Sequence, residues 1–476
     1  MKKLLSLLLV AVMCLSLLAA CGNSGGTDTG KESSGGGSVS AGDLDYEYSQ
    51  EMLDWAANIK KEYDGTTINL AGYAHTTLDA IKPMIPDFEK LTGIKVEVTE
   101  TDLDKIHDKM VLEMSKGDKS SYDVVMVPDS NAPEYIELGF LEPLNPYLEK
   151  QEEWFDYEDI AFAYRDLYMD IESKTLYAIP QGGETGIFYY RKDVFDENGF
   201  EVPETTDEAL KLAKKITDMN LEVDGQRMYG VSFRGRPSLG GANWMFQVYA
   251  YSFGGQITDP KNDITPTVDT PECAAAAQWM HDLCQVAVPG VAAFDPNDAI
   301  NAYKNGSAAM CFEASVFGAD VEDESQSVAA GKTGYTAFPA GPAGQYNAVF
   351  GIAYGISSKS ANKDAAWAFI EWCCSKGNQM IYLDNNGPVA RDSGLSDPEL
   401  QEKYPFYQAI LDAGQDASDL AEKGMRPTPK IVIALQYIEA YAVNVSSCMS
   451  NEVTAEEAMK NLQKDMTRIA EDAGLL

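Results

Sequence analysis

Residues 122–127 read YDVVMV, four apolar side chains in a row behind one aromatic and one acid. A run without polar alternation is how a strand reads when both of its faces are covered, as in a parallel sheet with helices on either side. Working outward, residues 66–71 (TTINLA) and 95–99 (KVEVT) carry the β-rich or period-two pattern of two further strands. Between them, residues 79–91 are predicted as a helix, stopped by Gly93 just past its end. Farther on, Thr205-Thr206-Asp207-Glu208 has the form of a capping box, a threonine oxygen serving the third helical amide while the glutamate reaches back. The helix it opens places Ala209, Leu212, Ala213 and Ile216 on one face, and Thr454 with Glu457 repeats the device before the last helix. Strand–helix alternation over about 400 residues predicts an α/β architecture with parallel sheets.

Composition narrows the function. The chain has 476 residues and a formal net charge of -37, from 74 acidic against 37 basic side chains. Its length fits two or three folded units. The acid excess argues against nucleic acid as a partner, since the longest basic clusters are pairs such as Lys60-Lys61 and Lys214-Lys215. The three histidines, His75, His107 and His281, stand at no metal-ligand spacing, so neither a metal nor a cofactor is expected. Gly331-Lys332-Thr333 resembles the end of a P-loop, but Gln326 stands where its first glycine belongs. Carboxylate pairs for glycoside hydrolysis can be drawn almost anywhere among so many acids, and no spacing singles one out.

The N-terminus reads as an address. Lys2-Lys3 precede an apolar stretch over 4–18, and Leu18-Ala19-Ala20-Cys21 resembles the bacterial lipobox. The expectation is a signal peptide over 1–20, a lipid (palmitate) on Cys21 and a flexible Gly/Ser linker over 21–45. No later apolar run reaches the ~18 residues that a membrane span needs. Cys273 and Cys284 fall on one predicted helix, roughly 16 Å apart at 1.5 Å per residue, too far to bridge. Cys373-Cys374 sit in the helical run AAWAFIEWCCS. Buried thiols are expected in preference to a disulfide framework.

Several aromatics adjoin turns and acids. Gly72-Tyr73-Ala74-His75 follows the first strand, Asp129-Ser130-Asn131 follows 122–127, and Arg234-Gly235-Arg236 precedes Trp244. Ligands of parallel α/β sheets settle at the carboxyl ends of strands, where such loops lie. Acceptors, Arg or Asn donors and an aromatic platform together suit a sugar or polyol. The same aromatics are also compatible with core packing.

The motif order carries a resemblance. YDVVMVPDS (122–130) and LGFLEPLNPYL (138–148) are followed by LYAIPQGGETGIFYYRKDVF (176–195), YSFGGQITDP (251–260), NAYKNGSAAMCFEAS (301–315), GIAYGISSKSANKDAAWAFIEWCCS (351–375) and NNGPVARDSG (385–394). In this order they resemble the extracellular solute-binding proteins, family 1, that serve carbohydrate-importing ABC transporters. The resemblance implies a type II periplasmic-binding-protein-like fold, two α/β lobes with a ligand cleft between them. Lobe 1 would hold 66–180 and 336–388, lobe 2 184–335 and 390–476, with hinge crossings near 180–184, 336–339 and 387–391. It implies a lipid-anchored monomer on the outer face of a Gram-positive-type membrane. That monomer would close on a sugar or polyol and pass it unchanged to two permease subunits. Glu184 matches a sugar-contacting carboxylate of the family, and Asp129, Asn131, Tyr73 and His75 lie in first-lobe loops that contact hydroxyls. From the second lobe, Arg236, Trp244, Glu313 and Arg426 are the expected ligand contacts. Relatives often have an aromatic where this chain has Glu313-Ala314-Ser315, which tilts the expectation from long malto-oligosaccharides to a smaller solute. The alternatives are a polyamine or other small-solute carrier, with acids caging ammonium groups, and a surface-tethered glycoside hydrolase.

Overall fold

The computed structural model describes residues 44–476, apart from Asp118, Ile171, Asp224 and the side chains of Leu103 and Asp104. The expected signal peptide, Cys21 and all but the end of the linker lie outside the described residues.

Strands β1 (Thr67–Tyr73), β2 (Lys95–Thr101) and β3 (Val124–Pro128) form where the β-rich runs lie, and β1 pairs in parallel with both others. All five residues of β3 are buried, as its unbroken apolar run requires. Five more strands complete the sheet: β4 (Ala178–Arg191), β5 (Tyr229–Phe233), β6 (Ala308–Ala314), β7 (Thr333–Ala337) and β8 (Val349–Ile356). Their order is β2-β1-β3-β8-β4-β6-β5, with β7 pairing β4 as well. The sheet is mixed, not purely parallel: β8 runs antiparallel to β3 and β4, and β4 runs antiparallel to β6 and β7.

β4 organises the molecule. At ~3.3 Å per residue its 14 residues reach about 45 Å, long enough to serve two hydrophobic cores. Its first half, through Thr185, pairs with β8, and from Gly186 onward it pairs with β6 on one side and Ile187–Arg191 with β7 on the other. Successive side chains of a strand point to opposite faces. Accordingly Ile187 and Tyr189 enter one core while Phe188 enters the other. These two cores define two α/β lobes. Leu395, Leu400, Phe406 and Ala409 to Ala417 pack in the first core, and only from Leu420 does the chain join the second. The cause is helix α3 (Tyr407–Glu422), whose buried residues pack across β4 and β7.

Helix α1 (Thr206–Met219) starts from the expected capping box, with both reciprocal bonds formed, and so does the last helix, Ala455–Asp472. The helix expected over 79–91 is in fact Thr76–Ile81, a 3-10 turn over Lys82–Met84, and Ile85–Thr92. Pro83 and Pro86 each lack an N–H and interrupt the ladder; Gly93 ends the last piece with φ of 71°. The six described cysteines are free thiols.

Candidate functional site

Glu184 stands in the middle of β4, opposite Phe350 of β8, where the strand passes from one core to the other. Its side chain is 13% exposed, and Oε1 lies 3.2 Å from His75 Nε2. His75 is placed by its role as N-cap: Nδ1 accepts from the Thr77 amide at 3.1 Å. That leaves the proton on Nε2, which donates to Glu184. Two residues earlier, Tyr73 ends β1 with its ring centroid 5.9 Å from that of His75. The Tyr73 hydroxyl is buried without a hydrogen-bond partner. Burial, with Glu184 and Asp129 nearby, holds it well above the usual range for a phenol.

Asp129 follows β3 as the first residue of a 3-10 turn, Asp129–Asn131, and Asn131 is buried on the same turn. Oδ2 accepts from the Thr428 hydroxyl at 3.2 Å, while Oδ1 is buried with no hydrogen bond of normal geometry. Burial pushes this carboxyl up to about 7; Thr428 pulls it down, and Glu184 adds to the rise. Tyr164, from the helix Phe162–Leu167, closes the floor. Its ring lies so close to β4 that a Cβ on Gly183 would stand 1.9 Å from it, and its hydroxyl too is buried and unpartnered.

The second lobe contributes a charged pair beneath an indole. β5 and β6 are parallel with Phe233 opposite Phe312, so Arg234 and Glu313 emerge side by side one residue later. Arg234 Nε lies 2.7 and 2.9 Å from the two Glu313 oxygens, and Nη2 also donates to Oε2. The guanidinium lies over the Trp244 ring, 4.3 Å from its centroid. Trp244, from helix α2 (Asn243–Ser252), is 6% exposed, and its Nε1 is buried without a partner. Glu184 is close enough to act electrostatically on Arg234, Glu313, Tyr164 and Asp129, which ties the two halves into one cluster.

The structure therefore gathers Tyr73, His75, Asp129, Glu184 and Trp244. Three other expected contacts are engaged by protein groups in this structure. Glu313 is fully buried with both oxygens on Arg234, whose counter-ion it is. Arg236 is 40% exposed with Nη1 3.5 Å from Asp295, while its Nε is buried without a partner. Arg426 sits between Asp166 at 3.6 Å and Asp263 at 3.7 Å. The sequence reading quoted Arg234 but chose Arg236 beside it, and it missed Tyr164 and Thr428. Arg234 meets Glu313 because each follows one member of the Phe233–Phe312 pair of parallel strands; Tyr164 and Thr428 are brought in only by tertiary packing.

Chemically, the cluster offers donors (Tyr73, Tyr164, Trp244 Nε1) and an acceptor (Asp129 Oδ1) that the protein itself leaves unpaired, beside a Glu184 carboxylate whose Oε1 is held by His75. Buried polar groups without partners are uncommon in folded proteins, and several around one carboxylate mark a place where a solute completes them. Among the described residues, no three His, Cys, Asp or Glu side chains converge as a metal ligand set.

The family described as bacterial extracellular solute-binding protein matches residues 74–380. The erythritol/L-threitol-binding protein of Mycolicibacterium smegmatis is 25% identical over 380 residues, 77% of this chain and 75% of the relative. An Agrobacterium radiobacter ABC transporter solute-binding protein solved with ribitol superposes with a TM-score of 0.71 at 24% identity, over 85% of this chain and 99% of that one. Maltose-bound MalE3 of T. maritima gives a TM-score of 0.71 at 25% identity, over 85% and 99%.

Proposed function

This chain belongs to the bacterial extracellular solute-binding protein family, and on that premise we propose that it captures a small, neutral, hydroxyl-rich solute, a sugar or polyol, at the seam between its lobes and hands it unaltered to an ABC importer. The observation that carries this reading is the mixture of unpaired donors with an unpaired acceptor around Glu184. A hydroxyl both donates and accepts, so a row of hydroxyls satisfies such a mixture. An anionic solute would need uncompensated positive charge, but Arg234 faces Glu313, Arg236 faces Asp295, and Arg426 and Lys430 lie against Asp166. A polyamine would satisfy Asp129 and Glu184 yet leave the Trp244 N–H, which can only donate, without an acceptor. Relatives that bind erythritol, ribitol or maltose support the same class. The lipobox-like Leu18-Ala19-Ala20-Cys21 supports a lipid tether at Cys21, with a monomer serving two permease subunits from the outer face of the membrane.

Catalysis within this subunit plays no part in the proposal: closure around the solute, favoured by tighter binding to the closed form, is the whole mechanism. A thermal-shift screen against monosaccharides and polyols tests it. A true solute at ~100 times its Kd adds about 2.7 kcal/mol of stability. Glu184→Gln should abolish that shift while leaving the unliganded melting curve nearly unchanged. Turnover of a glycoside, lost in the same variant, would replace transport with hydrolysis.

A further inference from the structure

We infer that the site takes its solute as an open-chain polyol and not as a pyranose ring, with the Trp244 indole acting through its N–H and the Arg234–Glu313 pair setting that preference. The inference rests on the reading that the solute is neutral and hydroxyl-rich, and it narrows that class by shape. A pyranose presents a flat C–H face, and a site that selects it offers an exposed aromatic face in return. Of the aromatics described around Glu184, Trp244, Tyr73 and Tyr164 have their faces already taken by the protein. The Trp244 ring lies against the Arg234 guanidinium at 4.3 Å, and Glu313, with no exposed surface, clamps that guanidinium by two nitrogens. The Tyr164 ring is covered by the backbone of Gly183. Tyr73 is 0% and Tyr164 1% exposed, so each contributes an unpaired hydroxyl at its tip and no platform.

What remains free is therefore polar and pointwise: the hydroxyls of Tyr73 and Tyr164, the Trp244 N–H and Asp129 Oδ1, set around a Glu184 carboxylate that His75 engages at Oε1. Arg234 Nη1 is the one guanidinium nitrogen that Glu313 does not engage. An open chain with a hydroxyl on every carbon can rotate each one toward such points, whereas a ring fixes them in one plane and leaves its C–H face without a partner. Sites built to hydrogen-bond a hydroxyl discriminate strongly by its placement, because their own buried groups otherwise stay unpaired.

Isothermal titration of the full protein with four probes, erythritol, D-mannitol, methyl α-D-glucopyranoside and maltose, tests this directly. At least one open-chain probe should bind about tenfold or more tighter than both ring probes, a ratio worth roughly one lost hydrogen bond. Trp244→Phe keeps a ring beneath Arg234 and removes only the donor. It should weaken the tighter open-chain probe about tenfold, with an unfolding temperature close to wild type. Either ring probe matching the best open-chain probe overturns the inference while leaving the broader reading intact. So does a Trp244→Phe protein that binds the open-chain probe as well as wild type. If none of the four binds, the neutral-solute reading fails and the inference falls with it.

Discussion

A carboxyl with one oxygen bonded to a threonine and the other to nothing ionises reluctantly once buried. Asp129 is in that position, raised from 3.8 to about 7 chiefly by burial. Between pH of about 4 and about 7 the folded chain keeps a proton that the unfolded chain has released. Unliganded stability should therefore fall as pH climbs through that window and level off above it, by about 4 kcal/mol at most. Denaturant titrations of wild type and Asp129→Asn at pH 5 and pH 8 check the sign. The variant should gain on wild type at the higher pH, and an equal difference at both would show that Asp129 ionises normally. A solute hydroxyl donating to Oδ1 favours the ionised form, so affinity should rise with pH through about 7, in the opposite direction to stability.

At the level of elements, β4 depends on the absence of side chains. A Cβ at Gly183 would stand 1.9 Å from the Tyr164 ring, which is itself buried in the first core. Gly183→Ala should destabilise by about 3 kcal/mol through overpacking, read as a fall in the denaturation midpoint. Gly414, inside α3, has nothing within 4 Å of the place an added methyl group would take; Gly414→Ala should stabilise by about 0.5–1 kcal/mol through chain entropy. Equal effects at the two positions would mean that the Tyr164 contact yields freely. The same strand shows what could be read in the sequence. β1, β2 and β3 announced themselves by β-branched side chains, and the two capping boxes by a threonine and a glutamate three apart. β4 did not, because Pro180, Gly182, Gly183 and Gly186 read locally as a break. Pro180 is tolerated because the pairing with β8 shifts register between Ile352 and Ala353, and the glycines because Thr77, Tyr382, Tyr164 and Phe338 fill the space. Likewise Tyr73, His75, Asp129 and Glu184 were legible from their place at strand ends or at a crossing, whereas Tyr164 and Thr428 are set by packing over distances in sequence that no local pattern encodes.

Across the whole molecule, the segment between α3 and helix α4 (Ala434–Met449) works as a strap from the second lobe to the first. Met425, Ile431 and Val432 pack on the second core, the Arg426 carbonyl accepts from Tyr251 Oη at 2.9 Å, and the Lys430 amide donates to Asp263. From that anchorage Thr428 reaches Asp129, and Lys430 Nζ lies 2.9 Å from Asp166 Oδ2 and 3.1 Å from the Met169 carbonyl, both on the first lobe. These bonds tie the two cores together in this structure, and opening of the lobes would break them. The charge of Lys430 holds Asp166, and Arg426 at 3.6 Å gives Asp166 a second cation, so losing Lys430 does not strand it. Lys430→Met should therefore leave each core intact while shifting the unliganded equilibrium toward open forms. Apparent affinity falls by the factor by which the closed fraction falls. A coupling of the usual size puts that loss at about tenfold. X-ray scattering of the unliganded variant should give a larger radius of gyration than wild type, and saturating solute should restore the wild-type value. Unchanged scattering together with unchanged affinity would mean that the strap follows closure without contributing to it.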